Sequence, residues 1–117
     1  MPKITIDGSN NIIGSSVINI NITNSATVTL EGLNITGGSG SGIYADGVAL
    51  TVTHSTVSGN SVSGGLSAGG GIYVSGGTLT VANSTFASNS ASSGGALYID
   101  SNASVTHGTF NRNSATD

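Results

Sequence analysis

The side chains of this 117-residue chain best suited to binding or catalysis are two histidines, five carboxylates and three tyrosines. His54 and His107 are the only imidazoles. A metal held between them would need both ring nitrogens within ~2 Å of it. Acid–base catalysis would need positioned carboxylates, yet Asp7, Glu31, Asp46, Asp100 and Asp117 are scattered along the chain. The many serines have no histidine at a spacing that would make a nucleophile and its base. There is no cysteine, so thiolate metal sites and disulfides are excluded. Tyr44, Tyr73 and Tyr98 are different, because each follows a similar dipeptide: Gly-Ile, Gly-Ile and Ala-Leu.

That recurrence extends well beyond the tyrosines. Gly42 to Ser61, Gly71 to Ser90 and Ala96 to Ser114 are versions of one another, each starting near an aromatic and ending in Asn-Ser. Self-similarity at a period of 20 to 30 residues is the mark of a solenoid, whose units bury apolar faces only against their neighbours. Within Gly69–Ala91, three short runs alternate apolar and polar residues: Ile72-Tyr73-Val74, Leu79-Thr80-Val81 and Thr85-Phe86-Ala87. Turn-forming Ser-Gly-Gly and Ala-Asn-Ser separate them. A period of two without helical periodicity predicts strands. Three strands per unit stacked on their counterparts predict an all-β fold, a right-handed single-stranded parallel β-helix (β-solenoid).

The inward columns can be read off directly. Leu79 and Val81 match Leu50 and Val52, Val28 and Leu30, Ala103 and Val105, and, at the N-terminus, Ile4 and Ile6. These five copies predict about five rungs with three short strands each. Third strands contribute Ile35, Val57, Phe86 and Phe110. First strands contribute Ile18, Ile20, Ile43, Ala45, Ile72, Val74, Leu97 and Ile99. The whole chain, 1–117, reads as a single β-helix domain, with degenerate N-terminal rungs over 1–36 and clear repeats over 37–117. Extra residues at Ser61–Ala68 predict a loop bulging between the third and first strands.

Stacking rungs at about 4.7–4.9 Å turns equivalent residues into columns. Gly32, His54, Asn83 and His107 share one column, at the corner between second and third strands. His54 and His107 then stand two rungs apart, roughly 9.5 Å between Cα atoms, too far to share a metal. The column is read as a corner support, with Asn83 and its neighbours holding the turn through side-chain hydrogen bonds. Asn60, Asn89 and Asn113 form a second column, read as an internal ladder of stacked amides. The tyrosines form an outward column, either a contact platform for sugar rings or a protein, or a brace across the sheet. Thr5, Thr29, Thr51, Thr80 and Ser104 form another, resembling the surface of ice-binding solenoids. Its companion column of Asp7, Glu31, Thr53, Ala82 and Thr106 breaks the uniformity, and threonine is in any case a good exposed strand residue.

Gly94-Gly95-Ala96-Leu97, Phe86-Ala87-Ser88-Asn89 and Phe110-Asn111-Arg112-Asn113 resemble the GGA(I/L) and FxxN repeats of polymorphic outer-membrane proteins. More broadly they resemble the β-helix repeats of autotransporter passenger proteins. The likeness covers roughly residues 37–117, with Leu33–Gly38 a degenerate copy and Val57 in place of one Phe. It implies the fold, and a setting among surface proteins such as adhesins. Enzymes of the pectate-lyase kind use this fold with clustered carboxylates or calcium, which these spacings do not assemble.

Composition narrows the partners. Charged residues make up 6% of the chain against roughly 25% in an ordinary soluble domain. Lys3 and Arg112 are the only fixed cations, too few for nucleic-acid binding. No apolar run approaches the ~20 residues of a membrane-spanning helix, and Met1-Pro2-Lys3-Ile4 lacks the apolar stretch of a secretory signal. The Ser/Thr/Asn/Gly-rich composition favours an extracellular or cell-surface location with the signal already removed; a cytoplasmic one stays open. The expectation is therefore a non-enzymatic, cofactor-free structural or adhesive module. Its partners would be further copies of itself stacked head to tail into a filament, or a cell-surface protein or glycan. Carbohydrate binding through the tyrosines is the alternative and ice binding the third.

Overall fold

The computed structural model describes residues 4–7 (backbone only), 16–21, 27–63 and 68–116. Its strands are β1 (Ile4–Asp7), β2 (Ile18–Asn21), β3 (Thr27–Glu31), β4 (Leu33–Thr36) and β5 (Ile43–Asp46). They continue with β6 (Ala49–Thr53), β7 (Thr56–Ser58), β8 (Ile72–Ser75), β9 (Thr78–Ala82) and β10 (Thr85–Ala87). Last come β11 (Ser90–Ala91), β12 (Leu97–Ile99), β13 (Ala103–Thr106), β14 (Thr109–Asn111) and β15 (Ser114–Ala115). All pair in parallel, each with its counterpart one turn away. The first strands form the sheet β2-β5-β8-β12, the second strands β3-β6-β9-β13, and the third strands β1-β4-β7-β10-β14. This is an all-β parallel β-solenoid of about four full turns, three main strands to the turn.

Register follows the apolar columns. Ile18, Ile43, Ile72 and Leu97 are successive partners, as are Val28, Leu50, Leu79 and Ala103. Ile35, Val57, Phe86 and Phe110 are likewise aligned, and the rings of Phe86 and Phe110 stack with centroids 5.1 Å apart. In the middle turns these residues are wholly buried and meet in one narrow core. Alternation does the sorting, because strand side chains point in and out by turns.

One assignment differs from the sequence reading. β1 does not extend the second-strand sheet; it pairs with β4, setting Ile4 against Leu33 and Ile6 against Ile35. Thr5 and Asp7 therefore leave the threonine face and align with Asn34 and Thr36. An Ile-x-Ile pattern is alike in all three sheets, so connection length decides. Ten residues separate β1 from β2, within the range of the other third-to-first connections, which hold six, thirteen and nine. A second strand would instead lead into a third across one or two corner residues, as Gly32 joins β3 to β4. Among the described residues the fifth rung is thus represented by β1 alone.

Two further features lie at the corner after the third strand. β11 and β15 form a two-residue parallel pair. The insertion anticipated at Ser61–Ala68 is bracketed by bridges from Ser61 to Ser90 and from Ala68 to Ser93, while its residues 64–67 lie outside the described ones.

Candidate functional site

The outward tyrosines form one stack. Tyr44 and Tyr73 have ring centroids 5.0 Å apart and planes within 1°, and Tyr73 and Tyr98 follow at 5.3 Å and 6°. They are register partners on β5, β8 and β12, and Asn19 on β2 begins the column. Parallel rings this close cannot lie side by side in one plane, so each covers the face of the next. A sugar stacks on an open aromatic face, and here the solenoid has used the inner faces on its own rings. What points outward is ring edge and hydroxyl. Partial burial raises the pKa of the Tyr44 phenol above its ordinary value, and the carboxylate of Asp46 and the phenol of Tyr73 add to the shift.

The asparagine column points inward. Asn60 and Asn89 are fully buried. The Asn60 Nδ2 donates to Asn89 Oδ1 at 3.1 Å, and the Asn89 Nδ2 donates to Asn113 Oδ1 at 2.9 Å. The same acceptors take the backbone N–H groups of Asn60 and Asn89, both at 3.1 Å. Each amide also reaches back one turn, to the carbonyls of Ile35, Val57 and Phe86. The ladder starts at Gly38, whose N–H donates to Asn60 Oδ1 at 2.8 Å. Buried amides must find partners, and this column supplies them where the chain turns from third to first strand.

Gly32, His54, Asn83 and His107 occupy the other tight corner with φ of 68°, 50°, 50° and 53°. The left-handed region suits Gly and Asn, which explains the recurrence of such residues. The three side chains beyond Gly32 are exposed. His54 Nδ1 lies 2.9 Å from the Thr53 hydroxyl and 3.8 Å from Glu31 Oε1, both at the surface. Hydrogen bonding at this corner is carried one residue later, by a pair the sequence reading did not single out. The buried Ser55 and Ser84 accept from the N–H groups of Leu33 and Ser55, and donate to the carbonyls of Thr53 and Ala82. The readable signal was His-Ser-Thr and Asn-Ser-Thr at equivalent positions.

Asp46 and Asp100 share a column with Ser75 between them. Asp100 accepts from the Ser75 hydroxyl and the Gly76 N–H, both at 3.1 Å, which makes it a turn cap. Among the described residues no three His, Cys, Asp or Glu come together as a metal set, and no helix is long and apolar enough to cross a membrane. Thr29, Thr51, Thr80 and Ser104 do line up on the second sheet, with Glu31, Thr53, Ala82 and Thr106 beside them.

Among the described residues, the exposed large hydrophobic side chains, Tyr98, Val105 and Phe110, all lie on the last strands β12, β13 and β14. Val105 is 43% and Phe110 45% exposed, whereas their partners one turn earlier, Val81 and Phe86, are fully buried. They stand in the same inward columns as those buried partners. Beside them β12, β13 and β14 are the edge strands of their sheets. Searches among curated proteins and among solved structures give no match. The family model for the right handed beta helix region matches residues 3–115, nearly the entire sequence, and the chain belongs to that family of right-handed β-helices.

Proposed function

We propose that this chain is a non-enzymatic structural module that associates end to end through the open edge of its last turn. The observation that carries the reading is the exposure of Val105 and Phe110 at positions that are fully buried in the two preceding turns, at Val52 and Val81 and at Val57 and Phe86. Unpaired strand edges with apolar flanks recruit further strands. Another rung of the same pattern is the partner whose columns fit best. A surface-exposed, adhesive setting accords with the GGA(I/L) and FxxN spelling of Gly94–Leu97 and Phe110–Asn113. In this reading the tyrosine stack braces the first sheet, and a glycan would meet ring edges rather than faces.

Sedimentation velocity over a rising concentration series, with negative-stain microscopy of the same samples, tests it. Oligomers or rods are expected for the natural chain, and their loss in Val105→Asp/Phe110→Asp. A natural chain that stays monomeric at millimolar concentration refutes the association.

A further inference from the structure

The three sheets are unequal. The first and second have four strands each, while the third has five, because β1 adds a strand below β4. The consequence for end-to-end contact is geometric. Among the described strands, a second copy seated with its β2 on β12 and its β3 on β13 continues both four-stranded sheets. Since β4 follows β3 across the single residue Gly32, that placement brings the incoming β4 against β14. The incoming β4 already carries its own β1 on that edge. Docking β1 on β14 instead would leave the other two sheets one strand short, with Leu97, Ile99 and Val105 uncovered.

We infer that β1 is a displaceable plug: a second copy of this chain docks its N-terminal edge on β12–β14 by exchanging β1 for the first copy's β14. The inference rests on the end-to-end reading above and specifies how it is gated. Extending the repeat register by one turn, Phe110 takes the place of Ile6 against Ile35, and Val105 covers Leu30. Charge is compatible at the described strand positions of this junction. Asp100 meets Asn21, as it now meets Ser75; Glu31 meets Thr106, as it now meets Thr53. Arg112 sits in the column of Gly37, Gly59 and Ser88, with no like charge opposite. With molecular extents of 30, 29 and 25 Å, the end face is on the order of 600 Å² per partner. That is near the low end for a specific interface, so a competing strand at the edge suffices to hold it off. Exchange of one strand for another also keeps the hydrogen-bond count nearly level, which leaves the equilibrium responsive to small changes in β1.

The chain has no cysteine, so a single engineered pair tests this cleanly. Thr5 and Asn34 are register partners on β1 and β4. The ~4.8 Å between neighbouring parallel strands falls within the Cα range of a disulfide. Thr5→Cys/Asn34→Cys should assemble at least tenfold less when oxidised than when reduced. Ile6→Pro, which removes a donor from β1, should assemble several-fold more readily than the natural chain. Equal assembly of the oxidised and reduced forms overturns the displacement while leaving end-to-end association intact. A natural chain that stays monomeric overturns association and displacement together, and an Ile6→Pro variant that assembles no better than the natural chain overturns the displacement alone.

Discussion

Replacing Asn89 by alanine should cost far more stability than replacing Asn113, although the two occupy one column. Asn89 is fully buried and central. Its Oδ1 is the acceptor for the backbone N–H and the Nδ2 of Asn60, and its Nδ2 serves Val57 O and Asn113 Oδ1. Truncation leaves the Asn60 N–H without that acceptor inside the core, at about 1–3 kcal/mol for an orphaned buried group. The other three bonds add a net ~0.5–1.5 kcal/mol each. A loss of about 2.5–7.5 kcal/mol follows, a large share of the ~5–15 kcal/mol by which a domain is stable. Asn113 is only part-buried and stands beside the open edge, where water can replace what it gave. Its alanine variant should lose about 1 kcal/mol. Urea unfolding followed by far-ultraviolet circular dichroism reads both, at a concentration below association, with the slope checked for constancy. Equal losses in the two variants, or a loss below about 1 kcal/mol for Asn89→Ala, would refute the claim that the amide column is a satisfied internal network.

The same contrast between middle and edge applies to the core. Phe86→Ala should cost about 3–5 kcal/mol, whereas Phe110→Ala, already 45% exposed, should cost markedly less in the same urea titration. At the left-handed corner, where Asn83 has φ 50°, Asn83→Val should lose about 1–2 kcal/mol and Asn83→Gly almost nothing. Gly70→Ala should prevent folding, because a methyl there would meet the Ser90 backbone nitrogen at 2.7 Å; recovery of soluble, strand-rich protein would contradict this. In Tyr73→Phe/Tyr98→Phe, the remaining Tyr44 phenol should titrate above the ordinary 10.0 in ultraviolet absorbance, and Asp46→Asn should lower it. The sign follows from linkage. A phenol whose pKa is raised by folding supports the fold fully below the unfolded value, and that support fades as pH climbs through the folded one.

Much of this architecture was legible in the sequence, for a specific physical reason. A parallel solenoid repeats its environment every turn, so Ile43, Ile72 and Leu97 announce one column by recurring at matching places. The inward asparagines and outward tyrosines were visible in the same way. Recurrence alone does not place β1. Ile4 and Ile6 alternate as any inward pair does, and only the count of residues to Ile18 distinguishes the three sheets. The tyrosine column was legible but its ring orientation was not, since side-chain rotamers leave no mark on spacing. Ser55 and Ser84 were hidden by abundance, because one serine looks like another until the register makes them neighbours.

Between the bridges Ser61–Ser90 and Ala68–Ser93, one turn holds six residues where the next holds two. Four additional residues have entered the chain there, and no inward column on either side has shifted by a position. Tyr44 still meets Tyr73, and Asn60 still bonds to Asn89. Length at this corner is thus decoupled from folding, which makes it the natural place for the sequence to acquire new segments. It is also where a foreign peptide could be spliced in and displayed, anchored at both ends by the flanking turns.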